Sequence, residues 1–101
     1  MRKDIQNVVR ADFDILCDDF REDINWKEFL LPIVTIYRND CKDYPGKFVA
    51  RLTDIRPGQP ISTRYIMLSG SVDELRGRLP SYMYRLDRKP NDDKVILETW
   101  I

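Results

Sequence analysis

The chain contains no histidine, and this absence excludes several kinds of catalytic site. Ser-His and Cys-His nucleophile pairs need an imidazole base, and histidine is the usual general base near neutral pH. The two cysteines, Cys17 and Cys41, are too few for a disulfide framework and, without histidine, for a tetrahedral zinc site. None of the four glycines falls in a phosphate loop or a dinucleotide fingerprint. We therefore expect no catalytic residues, no cofactor and no metal ion.

Long apolar runs are also missing. No stretch approaches the roughly 20 residues of a membrane span, and no run of signal-peptide length follows Arg2 and Lys3. We therefore predict a cytoplasmic protein that binds no membrane. The 17 basic and 17 acidic residues cancel, so net charge does not indicate nucleic acid. Acids are concentrated between residues 12 and 28 and bases between 51 and 89. We expect a dipolar molecule in which these two parts attract each other.

The composition is that of a folded protein, with 43% hydrophobic and 11% aromatic residues. A chain of 101 residues makes one domain. We predict a single α+β domain over 1–101, with a helical N-terminal part (1–31) followed by a sheet-containing part (32–101).

The N-terminal part has a helical period. Its apolar residues recur at steps of three and four, which predicts a helix of about four turns that Asp4 can cap. These apolar positions are Ile5, Val8, Val9, Phe13, Leu16, Cys17 and Phe20. Cys17 is expected to be a small buried hydrophobe on this helix. Asn25 and Glu28 have capping-box spacing and predict a short second helix that Pro32 ends.

From residue 33 onward the pattern is that of strands. Branched and alternating residues predict a strand over 33–38, a hairpin over 47–68 with a five-residue loop at 56–60, and strands over 81–88 and 94–101. Pro45-Gly46 suits a type II turn. Ser71 and Glu74 predict a capped helix over 71–79. The last strand is apolar on both sides, which indicates an interior strand or a covered one. We predict a mostly antiparallel sheet of about five strands, with the helices on one face.

The acidic N-terminal residues form the first candidate site. On the predicted helix they make an outer face that can contact a protein partner and imitate a phosphate backbone. These residues are Asp12, Asp14, Asp18, Asp19 and Glu22. Asp14 and Asp18 would stand one turn apart and could share a divalent ion. A calcium loop does not fit, because Leu16 and Cys17 occupy a ligand position and the required glycine position. A solvated acidic face is the favoured interpretation.

Tyrosines and basic residues form the second candidate site. Aromatic rings beside arginines on a sheet are how single-stranded bases are stacked. The candidate residues are Arg51, Arg64, Tyr82, Tyr84, Arg85, Arg88 and Lys89. The competing and favoured interpretation is that the tyrosines pack under the 71–79 helix while the arginines extend into solvent.

With catalytic residue sets missing and little volume for a pocket, surface contact is what the sequence favours. We predict a small non-enzymatic macromolecule-binding module of adaptor or inhibitor type, from a bacterium or its phage, that contacts a protein partner. The alternative is a nucleic-acid-binding module that uses the tyrosine and arginine surface. A small carboxylate- or metal-dependent enzyme ranks third. The sequence does not choose between a monomer and a homodimer.

Overall fold

The computed structural model describes residues 9–10 and 14–101. Within them, seven strands form one mixed sheet on which short helices pack. The strands are β1 (Val9–Arg10), β2 (Asp14–Leu16), β3 (Pro32–Tyr37), β4 (Phe48–Arg56), β5 (Gln59–Ser69), β6 (Arg85–Asp87) and β7 (Ile96–Trp100). The helices are α1 (Phe20–Asp23), a 3-10 helix (Trp26–Glu28) and α2 (Val72–Gly77).

The strands lie in the order β1-β2-β5-β4-β3-β7-β6. All neighbouring pairs are antiparallel except β2 and β5, which are parallel, with Ile15 opposite Tyr65. The α+β class and the mostly antiparallel sheet are therefore confirmed. The predicted count of about five strands is wrong for the described residues, because the N-terminal part contributes β1 and β2.

The predicted long N-terminal helix is wrong where the structure describes it. Residues 14–16 are a strand on the edge of β5, and the first helix is the single turn α1. The Asp19 carboxylate caps that turn by accepting from the Arg21 N–H. Residues 4–8 and 11–13 of the predicted helix lie outside the described residues. The second predicted helix is only a 3-10 turn, and the Asn25 side chain makes no capping bond.

The remaining strands follow the alternating sequence pattern. The hairpin is confirmed, but its loop is two residues rather than five, because Arg56 already pairs with Gln59. Gly58 in this loop has φ +95°, and Gly46 in the Tyr44–Lys47 turn has φ +81°. Both glycines follow a proline, and a positive φ is what the third position of a type II turn requires. The last predicted helix is present as α2, with Ser71 accepting from the Glu74 N–H.

The two faces of the sheet are covered differently. On one side, which we call the helix face, α1, the 3-10 helix and α2 bury the larger core. Its fully buried side chains include Phe20, Ile36, Leu52, Met67 and Leu75. Cys17 belongs to this core, so its predicted burial is confirmed, although it does not lie on a helix.

The other side, which we call the loop face, carries a smaller cluster. Tyr44, from the loop between β3 and β4, packs there on Val49 and Ile66. This loop covers only part of the sheet.

Strand β7 lies between β3 and β6. The prediction that the closing apolar run forms an interior strand is therefore confirmed. Its Glu98 side chain is buried on the helix face, where Arg76 of α2 binds it. None of the helices in the described ranges is long and apolar enough to cross a membrane.

Candidate functional site

The acidic residues of the first candidate site do not share one surface. Asp14 is buried in β2, whereas Asp18 and Glu22 are exposed. Asp19 caps α1 and pairs with Arg21 at 2.7 Å. Asp12 lies outside the described residues. The predicted continuous acidic face is therefore wrong for the residues from 14 onward, because residues 14–16 are extended rather than helical.

Asp14 is instead the centre of a buried hydrogen-bond network on the loop face. The Tyr44 hydroxyl donates to Asp14 Oδ2 at 2.6 Å, and Arg51 Nη2 donates to the same oxygen at 2.9 Å. Arg51 Nη1 lies 2.8 Å from Asp14 Oδ1 and also donates to the Thr63 carbonyl at 3.1 Å. The network ties β2, the β3–β4 loop, β4 and β5 together.

The protonation of this network favours a structural role. Burial opposes ionisation of Asp14, but the hydrogen bonds from Arg51 and Tyr44 outweigh burial, and the pKa of the carboxyl lies below its usual value. Burial likewise opposes the charge on Arg51, yet its contacts with Asp14 raise the guanidinium pKa. A proton donor or acceptor for catalysis near neutral pH needs a pKa near neutrality. The pKa of Asp14 is lowered and that of Arg51 is raised, so both move away from neutrality.

The basic residues of the second candidate site are divided between distant strands and opposite faces. Arg51 of β4 is bound to Asp14, and Arg64 of β5 lies on the same face. Strands β3 and β7 separate β4 from β6, a distance of about 14 Å at the usual strand spacing. Arg85 pairs in register with Trp100 and therefore points to the helix face. The seven predicted residues are therefore not brought together into one patch.

The two tyrosines of that site are on the surface. Tyr82 is 64% exposed and Tyr84 is 75% exposed, while Met83 between them is buried in the core. The favoured interpretation, that the tyrosines pack under the 71–79 helix, is therefore wrong. The buried side chain that anchors this stretch is the methionine. Arg88 and Lys89, which follow β6, are exposed as well.

Tyr84 belongs to a small apolar surface that sequence reasoning did not assemble. The backbones of Tyr84 and Ile101 exchange two hydrogen bonds, of 2.7 and 2.9 Å, and Leu86 pairs with Thr99. Alternation along the strands places Tyr84, Leu86 and Ile101 on the loop face. Leu86 is 45% exposed and Ile101 is 46% exposed. We call these three residues the edge cluster. The sequence signal was the alternation of Tyr84 with Leu86, which implies one shared face.

A shallow cavity of about 240 Å³ lies on the loop face, between β3, β4 and the loop that joins them. It is lined by Tyr37, Cys41, Lys42, Asp43, Tyr44, Val49 and Arg51. Ligand pockets are typically about 300–1,000 Å³, so this cavity is small. Burial, with Asp40 and Asp43 nearby, raises the pKa of the Cys41 thiol, which disfavours the reactive thiolate. Its Sγ instead donates to the Arg38 carbonyl at 3.3 Å.

A second ion pair, this one on the helix face, joins α2 to β7. Arg76 donates to both carboxylate oxygens of Glu98, at 2.6 and 2.9 Å, and the Trp100 indole N–H donates to Glu98 at 2.7 Å. Burial opposes ionisation of Glu98, but Arg76 and Trp100 lower its pKa. Every partner of this carboxylate is internal, so the pair holds the helix in place. Residues 14–101 contain no group of three or more cysteine or acidic side chains arranged to hold a metal ion.

Comparison of the chain with protein-family models, with curated proteins and with solved structures found no match.

Proposed function

We propose that the chain is a small binding module of adaptor or inhibitor type, without catalytic activity, that contacts another protein through the edge cluster. The observation that carries the proposal is the exposure of Tyr84, Leu86 and Ile101 as neighbours at one margin of the sheet. Exposed apolar residues that adjoin one another are typical of protein interaction sites, whereas scattered ones need no explanation. Aromatic residues are also enriched where binding energy is concentrated.

The fate of the buried charged groups supports the same proposal. Asp14, Asp54 and Glu98 all bind arginines of this chain and hold strands, a loop and a helix together. Such carboxylates serve stability, because their charges are bound by arginines within the fold. A module of this kind acts through its surface.

A pair of matched substitutions tests the proposal. Wild type, Ile101→Lys and Ile61→Lys are each immobilised and exposed to lysate of the source cells, and retained proteins are identified by mass spectrometry. Ile101 and Ile61 have nearly equal exposure, 46% and 43%, but Ile61 lies in the β4–β5 hairpin, outside the edge cluster. We expect one discrete partner with wild type and Ile61→Lys. Its affinity for Ile101→Lys should fall at least about tenfold, measured with the purified partner.

Two results would contradict this proposal. One is a partner that binds Ile101→Lys and Ile61→Lys equally well. The other is the absence of any protein retained by wild type above an unrelated control domain of similar size.

Nucleic-acid binding is a second candidate function, favoured by one specific observation. Tyr82 and Tyr84 present exposed rings, and Arg88 and Lys89 follow in the next few residues. A stacking surface for single strands needs this combination. A gel shift with single-stranded RNA and DNA at low salt separates the two functions. A shifted band that Tyr84→Ala abolishes and Tyr65→Ala does not would favour nucleic acid.

A further inference from the structure

Strand β6 is an end strand of the sheet, with a neighbour on one side only. Its register partner is β7, and all three of its residues are exposed. No other strand of the described ranges lies beyond it. An uncovered strand edge of this kind offers unpaired backbone groups to another chain.

The hydrogen bonds to β7 determine which backbone groups point outward. Tyr84 and Ile101 exchange both of their backbone hydrogen bonds, so the backbone groups of Tyr84 point toward β7. Backbone direction alternates along a strand, so Leu86 also points toward β7. The N–H and C=O groups of Arg85 and Asp87 therefore point away from the sheet. The free edge carries two donors and two acceptors at positions two residues apart.

We propose that β6 pairs with β6 of a second copy of this chain, antiparallel and centred on Leu86, so that one sheet runs through both copies. In this register Arg85 lies opposite Asp87 of the second copy, and Asp87 lies opposite Arg85. These are the two residues with outward backbone groups, and they form the hydrogen-bonded pairs of an antiparallel ladder. Four backbone hydrogen bonds are formed. Leu86 lies opposite Leu86 of the second copy, at a non-hydrogen-bonded position, where side chains approach most closely.

Charge complementarity identifies the occupant of this edge. Edge strands are commonly protected from pairing by charges of one sign, which repel a second copy. Strand β6 instead carries opposite charges on either side of its centre, and its Arg85 Nε and Asp87 Oδ1 lie 3.6 Å apart within the chain. When two β6 strands pair antiparallel, Arg85 of each copy lies opposite Asp87 of the other, so two pairs of opposite charge are formed. Cross-strand pairs of opposite charge stabilise a sheet, whereas like charges destabilise it.

The apolar side chains agree with the same register. Tyr84 and Leu86 point to the loop face in both copies, so the two edge clusters join into one apolar surface across the symmetry axis. Tyr84 comes opposite Arg88 of the second copy, a pairing that favours a cation–π contact. The interface is isologous, since one segment serves both sides. Because β6 has three residues, the interface is small, and we expect a dissociation constant between about 10 µM and 1 mM.

A charge-exchange experiment on purified protein tests the dimer. Sedimentation equilibrium is measured from about 1 µM to about 1 mM on wild type, Arg85→Asp and Asp87→Arg. Wild type should be a concentration-dependent dimer, and each single variant should dimerise at least about tenfold more weakly, because like charges then face each other twice. An equimolar mixture of the two variants brings acids opposite bases at every position. The mixture should recover association as a heterodimer.

Two further variants serve as controls. Lys47→Asp reverses an exposed charge just before β4 and should leave the wild-type dissociation constant unchanged. The exchanged double variant Arg85→Asp/Asp87→Arg restores complementarity within one chain and should dimerise like wild type, even if one single variant folds poorly. Wild type that stays monomeric at about 1 mM, or variants whose mixture does not associate, would overturn the dimer. These measurements need no other protein, so their failure would leave the proposed protein-binding function standing.

Discussion

Asp14 is a charged side chain that the fold has largely removed from water, with 4% of its surface exposed. Its carboxylate is held by partners 30 and 37 residues further along the chain. Nothing near Asp14 in sequence indicates those partners. The sequence pattern therefore groups it with its exposed acidic neighbours. The burial of Cys17, by contrast, is confirmed, although the helix on whose apolar face it was expected is not present there.

The Asp14 network gives the first prediction. Asp14→Ala should lower the free energy of unfolding by about 2–4 kcal/mol, because the Tyr44 hydroxyl and the Arg51 guanidinium lose their shared acceptor. Glu22→Ala, at an exposed position, should change it by less than about 0.5 kcal/mol. Urea unfolding followed by circular dichroism measures both. Equal effects of the two substitutions would contradict the network's role.

The N-terminal part is where prediction and structure differ most at the scale of elements. Cys17 and Phe20 are three residues apart and both enter the core, as the helical period required. No continuous helix joins these two residues. Strand β2 ends just before Cys17, a bend follows, and Phe20 begins the single turn α1. The decisive interaction is the pairing of residues 15 and 16 with β5, which propensity cannot reveal. From residue 32 onward, alternation and turn residues predicted a strand in each of the observed places, although the predicted 81–88 strand is only Arg85–Asp87 and the hairpin loop is shorter than predicted.

The two-residue turn of the β4–β5 hairpin gives the second prediction. An added Cβ meets no atom within 4 Å at Gly58 or at Gly70, but only Gly58 has a positive φ. Gly58→Ala should therefore destabilise the protein by about 1–2 kcal/mol through backbone strain. Gly70→Ala should be neutral or stabilising by up to about 1 kcal/mol, since it restricts the unfolded chain. Thermal melts of both variants test this, and similar shifts in Tm would count against it.

At the scale of the whole molecule, the charges are matched inside the fold. The predicted attraction between the acidic and basic parts has a concrete instance in the Asp14–Arg51 pair. Asp54 and Glu98 are likewise buried and bound to arginines. Burial opposes their ionisation, but the hydrogen bonds they accept outweigh it and lower the pKa of each carboxyl. All three groups thus bind protons less readily in the folded state than in the unfolded state.

These lowered pKa values give the third prediction. Stability should be fully present above the unfolded carboxyl pKa of about 3.9–4.3 and should be lost as the pH falls through the lower folded values. Between pH 6 and 8 stability should change little, because the chain has no histidine. Urea midpoints at successive pH values from 8 to 3 measure this dependence. Asp14→Asn, which removes one such carboxyl, should lose less stability on acidification. A wild type that becomes more stable between pH 6 and 4 would contradict the assignment.

The parallel contact between β2 and β5 has a consequence for the order in which the molecule assembles. The hairpin of β4 and β5 forms between near neighbours, whereas β2 joins residues 15 and 65 and must close a loop of roughly fifty residues. The edge of β5 to which β2 binds is therefore expected to form only after β5 has paired with β4. Strand β2 is therefore expected to be among the last elements to dock and the first to detach, and the hydrogen bonds of Asp14 hold it in place.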